Sequence, residues 1–489
     1  MSTKELRTSL QGILKFLAPH WDFVNCHMVN YLTDNHWETF IPENVQQNVK
    51  ESSDIDECID EVFWKSIESK KFEDVWTFFE DSKRFRLENM KHLLTTVDDL
   101  HKVLEKNNLG SSLTLKEFMS EKKRHEVETT AELVNDLIEH HKAKEAKDLY
   151  IVDAGDGKGY LSSRLALQYD HKVLGIDFKE TNTENASERN KKLQRAWNGL
   201  TERAELISQG IQPPRRGKKQ KPTPAAEPKP DNYKTTNKFI TTKLPFKDLV
   251  KQDFDLPADS SPSLCLTGLH TCGNLAPTCL QVFSAQEDFR IVCNIGCCYH
   301  LLKEEFSTDE FFGNKVIMEQ QSDIGFPMSE FLKGQRVRMG RNARMLAAQS
   351  IHRTQNAKEL PNISLFYRAL LEVMIVERDP SLKDTVQVGK IKKFNNFKEY
   401  IALCSRKVSL ELETLAEEDI ERIEKTYEKQ AKFLDLFYLL RMGFAPVLET
   451  LIILDRLLYL REQGYANSYV IPLFDPVVSP RHFCIVAFK

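Results

Sequence analysis

The feature of this sequence that most restricts its fold is a glycine-rich turn that directly follows a short apolar strand. The predicted strand is Leu149 to Asp153, and Gly155, Gly157 and Gly159 follow it at alternate positions, before a predicted helix from Tyr160 to Tyr169. Glycine lacks a Cβ atom, so the backbone can turn sharply there and can approach a ligand closely. This order of elements predicts the first βα unit of a Rossmann-like sheet.

Acidic residues in this unit distinguish between the ligands that such a turn can hold. The spacing differs from the Gly-x-Gly-x-x-Gly of pyrophosphate-binding turns, and Asp153 and Asp156 favour a cationic or zwitterionic ligand. A second predicted strand, His171 to Asp177, ends where a Rossmann-like unit places the carboxylate that accepts the ribose hydroxyls. The turn alone is also typical of a simple βα connection. With Asp177 it indicates a nucleoside cofactor such as S-adenosylmethionine, bound by Asp153, Gly155, Gly157, Gly159 and Asp177.

Three further strands and a closing pair complete the predicted sheet. The strands are Phe239 to Lys243, Ser263 to Gly268 and Phe289 to Ile295, and they alternate with helical patterns, which is typical of parallel βαβ units. The final segments, Ser468 to Leu473 and His482 to Phe488, predict an antiparallel hairpin. A class I methyltransferase sheet ends in this way, whereas a dehydrogenase sheet continues in parallel. The predicted fold is therefore α/β, a Rossmann-like class I methyltransferase sheet with added helical regions.

The chain is predicted to have four segments. Residues 1–118 have helical apolar spacing and form an N-terminal helical domain, and residues 119–325 form the methyltransferase core. Residues 326–443 form a helical insertion, and residues 444–489 complete the core. Within the core, residues 212–236 are predicted to be a disordered basic loop, either a solvated linker or a segment that recruits RNA or directs localisation. Its basic residues are Arg215, Arg216, Lys218, Lys219, Lys221 and Lys229.

Composition places the protein among ordinary soluble proteins of the cytoplasm or nucleus. The net charge of −4 does not by itself indicate nucleic-acid binding, and the ten cysteines of this long chain favour reduced thiols over a disulfide framework. No long apolar core follows the N-terminus, so secretion is not expected. The most apolar late segment, Ala445 to Leu460, carries Glu449, Asp455 and Arg456, which favours a buried helix over a membrane span.

Histidines and cysteines follow the fourth and fifth predicted strands. His270 and Cys272 come after the fourth strand, and Cys297, Cys298 and His300 come after the fifth. Because these strands are neighbours in such a sheet, we expect the five side chains to converge at its carboxyl edge as catalytic candidates. A histidine could act as a general base, and a cysteine thiolate could attack a pyrimidine ring. Zinc binding and simple packing are the alternatives; the adjacency of Cys297 and Cys298 weakens the zinc interpretation, so no metal site is predicted.

Two groups of charged residues are candidates for substrate binding. A long helix predicted from Lys116 to His141 leads into the first strand and carries Lys123, His125 and Glu126. A charged run of this kind is either a solvated face or a ligand contact beside the cofactor cleft. A second basic stretch, at the start of the helical insertion, could bind phosphate groups. Its candidates are Arg336, Arg338 and Arg341.

Several short motifs together resemble one family over most of the chain from about residue 116 onwards. The combination is similar to the methyltransferase-like protein 25 family, whose B form is also called a ribosomal RNA adenine dimethylase domain-containing protein. The resemblance also includes the helix with Lys123, His125 and Glu126. The motifs are Asp153-Ala-Gly-Asp-Gly-Lys-Gly159, Gly268-Leu-His-Thr-Cys-Gly273, Gly296-Cys-Cys-Tyr-His300, Phe326-Pro-Met-Ser329 and Ser479-Pro-Arg481.

The resemblance implies a class I methyltransferase that uses S-adenosylmethionine. Adenine dimethylases need an Asn/Asp-Pro-Pro-Tyr/Phe tetrapeptide after the fourth strand, and this chain has Leu269-His-Thr-Cys272 there, which disfavours dimethylation. More distantly, the His-x-Cys-Gly and Cys-Cys-x-His pair is similar to tRNA acceptor-stem 2'-O-methyltransferases, although their N-terminal Cys/His zinc module is missing. The most favoured substrate is therefore RNA, either tRNA or rRNA. The alternatives are a protein or small-molecule methyltransferase and a non-catalytic, cofactor-binding assembly module.

Overall fold

The computed structural model divides the chain into two compact units. One comprises residues 1–11, 90–340 and 449–489 and is called the sheet unit below. The other comprises residues 12–89 and 341–448 and is called the helical unit. The structure describes residues 2–52, 54–105, 119–145, 149–212, 231–307, 323–383, 385, 388, 391–407 and 416–489.

A seven-stranded sheet forms the centre of the sheet unit, in the order β3-β2-β1-β4-β5-β7-β6. The first five strands pair in parallel, and β7 runs antiparallel to both β5 and β6. This arrangement confirms the predicted class I methyltransferase sheet with its antiparallel C-terminal hairpin. The strands are β1 Leu149–Ala154, β2 Val173–Asp177, β3 Tyr233–Asn237, β4 Ser263–Cys272, β5 Phe289–Cys297, β6 Ser468–Pro472 and β7 Phe483–Phe488.

The central strands are buried on both faces, which explains their continuous apolar sequence. Leu149 and Ile151 of β1 pack in one cluster with Leu137 and Ile138 of the helix Glu121–Glu145. The alternate residue Val152 is also fully buried. The α-helices of this unit are Val97–Val103, Glu121–Glu145, Tyr160–Gln168, Glu180–Ser208, Phe246–Asp253, Leu275–Ala285, Glu330–Gly334 and most of Ala445–Glu462.

The predicted position of the third strand is wrong. The strand is Tyr233–Asn237 rather than Phe239 to Lys243, and it pairs with β2 from Val173↔Tyr233 onwards. Only Tyr233 of this polar edge strand is buried, so its sequence lacks the apolar run of a central strand. The predicted loop over 212–236 is therefore also wrong at its C-terminal end. Its basic residues Arg215, Arg216, Lys218, Lys219, Lys221 and Lys229 lie outside the described residues.

Aromatic side chains from distant parts of the sequence form the core of the helical unit. The Phe23 ring contacts Phe437 and Phe444 edge-on, at centroid distances of 5.2 Å and 5.4 Å. The Arg441 guanidinium donates to the carbonyl oxygen of Val24. The helical unit thus contains residues from two segments that were predicted to be separate, 1–118 and 326–443. The α-helices are the last six residues of Thr3–Leu17, whose first nine belong to the sheet unit, then Trp21–Asn25, His36–Phe40, Glu43–Ser52, Ile55–Ile59, Glu73–Lys83, Arg341–Ala347, Ile351–Ala357, Ser364–Arg378, Phe397–Ser405, Glu417–Tyr427 and Gln430–Met442.

Among the described residues, one helical stretch has the length and composition that could cross a membrane. It is Gln430–Glu462, and 89% of its most apolar window is buried inside the structure. Asp455 and Arg456 within it are buried as well. This burial is typical of the core helices of soluble proteins, which pass the same test.

Candidate functional site

The glycine-rich turn after β1 has the backbone conformation for which glycine is suited. Gly155, Gly157 and Gly159 have φ angles of 75°, 60° and 66°, a region that residues with side chains rarely adopt. A Cβ atom on Gly159 would lie 2.5 Å from Tyr233 Oη, and one on Gly155 would lie 2.9 Å from Leu275 Cδ2. A Cβ atom on Gly157 would make only an ordinary contact, 3.7 Å from the Gly155 carbonyl oxygen, so the backbone angle alone favours glycine there.

Asp177 at the end of β2 contacts this turn directly. Its Oδ2 accepts a hydrogen bond from the Gly157 backbone N–H at 3.0 Å. Its Oδ1 accepts from the Lys179 N–H at 2.8 Å and from Asn182 Nδ2 at 3.1 Å. Because a carboxylate offers about four acceptor positions, these described donors leave room on Oδ2 for one further hydroxyl group. The carboxylate is thus placed at the glycine turn and is oriented by two backbone amides.

Two other acids of the turn are engaged in a buried network. Ser162 Oγ lies 2.9 Å from Asp153 Oδ2 and 2.6 Å from Asp156 Oδ1, and the Tyr233 hydroxyl donates to Asp156. Burial, and then the charge of Asp156, raise the pKa of Asp153 well above its ordinary value. Burial also raises the pKa of Asp156 to about 6. A Cβ atom on Gly175 would lie 2.3 Å from Asp156 Oδ2, so this side chain packs against β2 and holds the turn in place.

His270 lies in an irregular stretch of β4, beside a buried carboxylate. The register with β5 shifts between Leu269 and Thr271, and His270 has a φ angle of 66°. Its Nε2 lies 3.1 Å from Glu126 Oε2, and the Ser479 hydroxyl donates to Glu126 Oε1 at 2.6 Å. A bulge of this kind redirects one side chain of a strand and is common beside active sites. Three separate parts of the chain therefore meet at His270.

Glu126 is a buried carboxylate that orients the His270 ring. The residue is only 1% exposed, whereas the His270 side chain is 29% exposed. Burial raises the pKa of Glu126, but the hydrogen bonds from His270 and Ser479 outweigh it, so the pKa is lowered overall. An ionised carboxylate fixes the ring with Nε2–H towards Glu126 and leaves Nδ1 as the basic nitrogen. The sequence predicts Glu126 to be a possible substrate contact, and the structure shows that its carboxylate contacts His270 and Ser479.

Cys272, Cys297 and Cys298 bring their sulfur atoms together at the ends of β4 and β5. Cys272 and Cys297 are partners in the parallel register, and their sulfur atoms are 3.2 Å apart. Cys297 Sγ lies 3.6 Å from Cys298 Sγ, and all three sulfur atoms lie within 4.8 Å of one another. Cys272 is exposed, Cys298 is half-buried and Cys297 is buried. The sequence predicted that these cysteines converge, and the geometry agrees.

The three thiols are electrostatically unequal. Hydrogen bonds from Cys272 and Cys297 lower the pKa of Cys298, and the charges of His300 and His270 act in the same direction. The hydrogen bonds with Cys272 and Cys298, together with burial, raise the pKa of Cys297. His300 is half-buried in the short helical turn Tyr299–Leu301.

Polar residues that sequence reasoning did not identify support the ends of β4 and β5. The Thr271 hydroxyl lies 3.2 Å from Asn294 Oδ1 and 3.1 Å from the Ile295 carbonyl oxygen, and these two acceptors share its one proton. Asn294 is 2% exposed, and no described residue accepts from its Nδ2. Periodicity gave no signal for either residue, because both lie within strands that are otherwise apolar.

Residues of the late motifs also hold this edge of the sheet. Arg481 Nη1 and the Tyr299 hydroxyl both contact Glu449 Oε1, at 2.7 Å and 2.8 Å. The backbone N–H groups of Met328 and Ser329 donate to the buried carboxylate of Asp455. The motifs therefore connect the segment after β5 and the segment before β7 to one helix, Ala445–Glu462.

The remaining substrate candidates are distributed over both units. The ammonium group of Lys123 lies 4.4 Å from the Tyr160 ring centroid, and the Arg189 guanidinium lies 3.9 Å from it. The ring of His125 contacts Phe474 at 5.8 Å, and no described residue hydrogen bonds its buried Nε2. The basic stretch is divided between the two units. Arg336 and Arg338 belong to the sheet unit and are exposed. Arg341 and Arg344 belong to the helical unit, and Arg344 is buried.

Comparison with known proteins agrees with this geometry. Residues 122–305 match the model of a family described as a methyltransferase domain. The human protein named probable methyltransferase-like protein 25 (Homo sapiens) is 30% identical over 606 residues, covering 99% of this chain and 97% of that protein. The mouse protein of the same name (Mus musculus) is 31% identical over 590 residues, covering 99% of this chain and 96% of that protein.

Proposed function

Because the chain belongs to the methyltransferase-like protein 25 family, we propose that it transfers a methyl group from S-adenosylmethionine to RNA, either tRNA or rRNA. The observation that carries the proposal is the pairing of two features at the carboxyl edge of one sheet. One is the left-handed glycine turn with Asp177, and the other is the Glu126–His270 pair. The first suits a nucleoside cofactor, and the second suits removal of a proton.

The glycine turn after β1 and the carboxylate of Asp177 support S-adenosylmethionine as the cofactor. Asp177 would accept a ribose hydroxyl on the free side of Oδ2, while Gly155, Gly157 and Gly159 allow close approach of the backbone. Asp153 would contribute at the end of β1, where its carboxyl group is already oriented by Ser162. S-adenosylmethionine would supply the methyl group.

His270 is the proposed general base for the acceptor. Glu126 holds Nε2–H, which leaves Nδ1 to take a proton as the acceptor becomes nucleophilic. Cys272, Cys297, Cys298 and His300 would line the acceptor site and position the substrate. Positioning matters because methyl transfer is an in-line displacement, in which alignment lowers the barrier.

Positive charge beside the glycine turn supports RNA as the acceptor. The cationic groups of Lys123 and Arg189 both contact one aromatic ring, that of Tyr160. Burial lowers the pKa of Lys123, and the charges of Lys158 and Arg189 act in the same direction against the opposing charge of Glu126. Such a cationic cluster attracts phosphate groups. The exposed Arg336 and Arg338, together with His125, would add further contacts within the sheet unit.

We further propose that the protein acts in the cytoplasm or the nucleus. All ten of its cysteines are free thiols, and three of them lie together with one partly exposed to solvent. A reducing compartment keeps such thiols unpaired.

Calorimetry with S-adenosylmethionine tests the cofactor part of the proposal. Asp177→Asn should bind about 10- to 100-fold more weakly, because one charge-assisted hydrogen bond contributes about 1.5–3 kcal/mol. The exposed Asp259→Ala is the matched control and should bind as the wild type does. Absence of binding by the wild type, or unchanged binding by Asp177→Asn, contradicts the cofactor assignment.

Mass spectrometry of RNA nucleosides from cells with and without the protein tests the acceptor. We expect one methylated nucleoside to disappear and to return with the wild type but not with His270→Ala. Unchanged RNA together with a lost methyl group on a protein or small molecule would refute RNA as the acceptor while retaining methyl transfer. A nucleoside restored by a variant that cannot bind the cofactor would indicate a non-catalytic assembly role.

A further inference from the structure

The three cysteines at the ends of β4 and β5 have the arrangement of metal ligands. Their sulfur atoms lie within 4.8 Å of one another, with separations of 3.2 Å for Cys272–Cys297 and 3.6 Å for Cys297–Cys298. A disulfide would require about 2.0 Å between sulfur atoms. Around a tetrahedral zinc ion with Zn–S bonds of about 2.3 Å, sulfur atoms stand about 3.8 Å apart. The observed separations are much closer to those of a zinc site than to those of a disulfide.

In the sequence, the adjacency of Cys297 and Cys298 argues against a zinc site. The backbone conformation at Cys298 nevertheless allows both side chains to reach one ion. Successive residues of a regular strand point to opposite faces, so neighbouring cysteines could not share one ion. Cys298 has φ 51° and ψ 49°, a left-handed conformation that ends β5. This turn brings both sulfur atoms to one side. A residue other than glycine in this conformation is strained, and such strain is concentrated at functional sites.

Cys272 reaches the same point because glycine follows it. Gly273 has a φ angle of 56°, its N–H donates to the Cys297 carbonyl oxygen, and a Cβ atom there would lie 2.6 Å from Leu301 Cβ. The two strand ends are thus fastened together directly beside the sulfur atoms. The Cys272–Cys297 pair would need to widen by only about half an ångström to reach zinc geometry.

A buried cation near β5 is consistent with negative charge at the cluster. Arg456 is 1% exposed, and no described residue accepts a hydrogen bond from its Nε, Nη1 or Nη2. Its Nη1 lies 2.4 Å from the position of a Cβ atom on Gly296, the residue before Cys297. A buried charge needs compensation. Asp455 and the Tyr299 ring, whose centroid lies 5.6 Å away, already act on this guanidinium group, and three thiolates around a divalent ion would add one net negative charge.

We propose that Cys272, Cys297 and Cys298 bind one zinc ion, with a fourth coordination position open on the exposed side of Cys272. Three protein ligands and an open position are typical of catalytic zinc, which lowers the pKa of a bound water molecule or acceptor group. The site lies where the methyl acceptor is expected, but the binding of zinc does not depend on the proposed methyl transfer.

Metal analysis of the full-length protein tests the site without methyl donor or acceptor. Protein expressed with added zinc and purified under reducing conditions should contain about one zinc ion per chain, as a three-thiolate site requires. Cys272→Ser should bind zinc at least tenfold more weakly, since even second-shell changes reduce metal affinity by about 10- to 100-fold. Cys298→Ser should behave in the same way. The matched control is Cys265→Ala, on the same strand β4 but outside the cluster, which should keep its zinc.

Cobalt substitution adds a readout that a merely structural role would not change. The wild type should show thiolate-to-cobalt charge-transfer absorption, which decreases in Cys272→Ser and not in Cys265→Ala. Zinc-free wild-type protein with reactive thiols, or with a Cys272–Cys297 disulfide found by mass spectrometry, would overturn the proposal. Full zinc content in both serine variants would also overturn it. Binding of S-adenosylmethionine, measured separately, keeps this result distinct from that of the proposed function.

Discussion

Replacing Glu126 with glutamine tests whether the buried carboxylate makes His270 an effective base. Glutamine has the same shape, and its amide oxygen can still accept from His270 Nε2, the atom now 3.1 Å from Glu126 Oε2. Its amide NH₂ group can donate to the Ser479 hydroxyl, which can accept as well as donate. The variant therefore removes the negative charge, and with it the 3.5 Å ion pair with Lys122, while it keeps both hydrogen bonds.

The expected loss follows from the charge that develops on His270. As the histidine takes a proton it becomes positive, and at 3.1 Å a carboxylate stabilises that charge by about 5 kcal/mol if the effective dielectric constant is about 20. Measured hydrogen bonds to charged groups contribute about 1.5–3 kcal/mol, which sets a lower value. A loss near 2.7 kcal/mol corresponds to about 100-fold slower methyl transfer.

Single-turnover transfer of a labelled methyl group measures this loss. RNA from cells lacking the protein serves as acceptor, and calorimetry must show unchanged binding of S-adenosylmethionine by Glu126→Gln. Ser479→Ala keeps the carboxylate but removes the 2.6 Å hydrogen bond, so its rate should fall less than about tenfold. Glu121→Gln, exposed on the same helix, should match the wild type. Transfer by Glu126→Gln within twofold of the wild-type rate would refute the role of the carboxylate.

Three further predictions concern stability. Gly159→Ala should lower the free energy of unfolding by about 2 kcal/mol or more, because its φ is 66° and the new Cβ would lie 2.5 Å from Tyr233 Oη; an unchanged melting temperature would contradict this. Thr271→Val should cost about 1–2 kcal/mol by removing the hydroxyl whose proton Asn294 Oδ1 and the Ile295 carbonyl oxygen share, and Thr271→Ser should retain this hydrogen bonding; urea unfolding compares the two variants. Burial, and then the charge of Asp56, raise the pKa of Asp435 from 3.8 to about 6. The folded state thus binds this proton more tightly than the unfolded state does, and the protein loses stability as pH rises from 3.8 to about 6. Asp435→Asn should therefore be about 1–3 kcal/mol more stable than the wild type at pH about 7.5. Below pH about 4 the variant should show no gain in stability. A gain that is independent of pH would argue against it.

The sheet could largely be predicted from the sequence, because its strands are short apolar runs and its glycine turn has a distinctive spacing. β1, β2, β4 and β5 were each located to within a few residues. β3 could not be found in this way, since only Tyr233 of Tyr233–Asn237 is buried and a more apolar stretch, Phe239 to Lys243, follows directly. The position of this edge strand depends on its pairing with β2, and the local sequence pattern contains no information about that pairing.

The candidate site was less predictable, because its contacts join residues far apart in the chain. The sequence identified His270 and the cysteines from their positions after strands. It did not show that Glu126 is buried beneath His270, or that Asp156 packs against Gly175. Nor could spacing show the left-handed backbone at Cys298 that brings adjacent sulfur atoms together. Each of these facts depends on backbone conformation or on tertiary contact.

The late motifs acquire a physical meaning in the structure. Ser479 holds Glu126, and Glu126 holds His270, so the histidine at the end of β4 depends on the segment directly before β7. Arg481, two residues later, contacts Glu449 in the helix Ala445–Glu462, which fixes Ser479 to the same part of the unit. A buried hydrogen-bonded network of this kind specifies one geometry when every member is satisfied. The proposed base is therefore positioned by the fold as a whole, and the glycine turn alone would not produce the site.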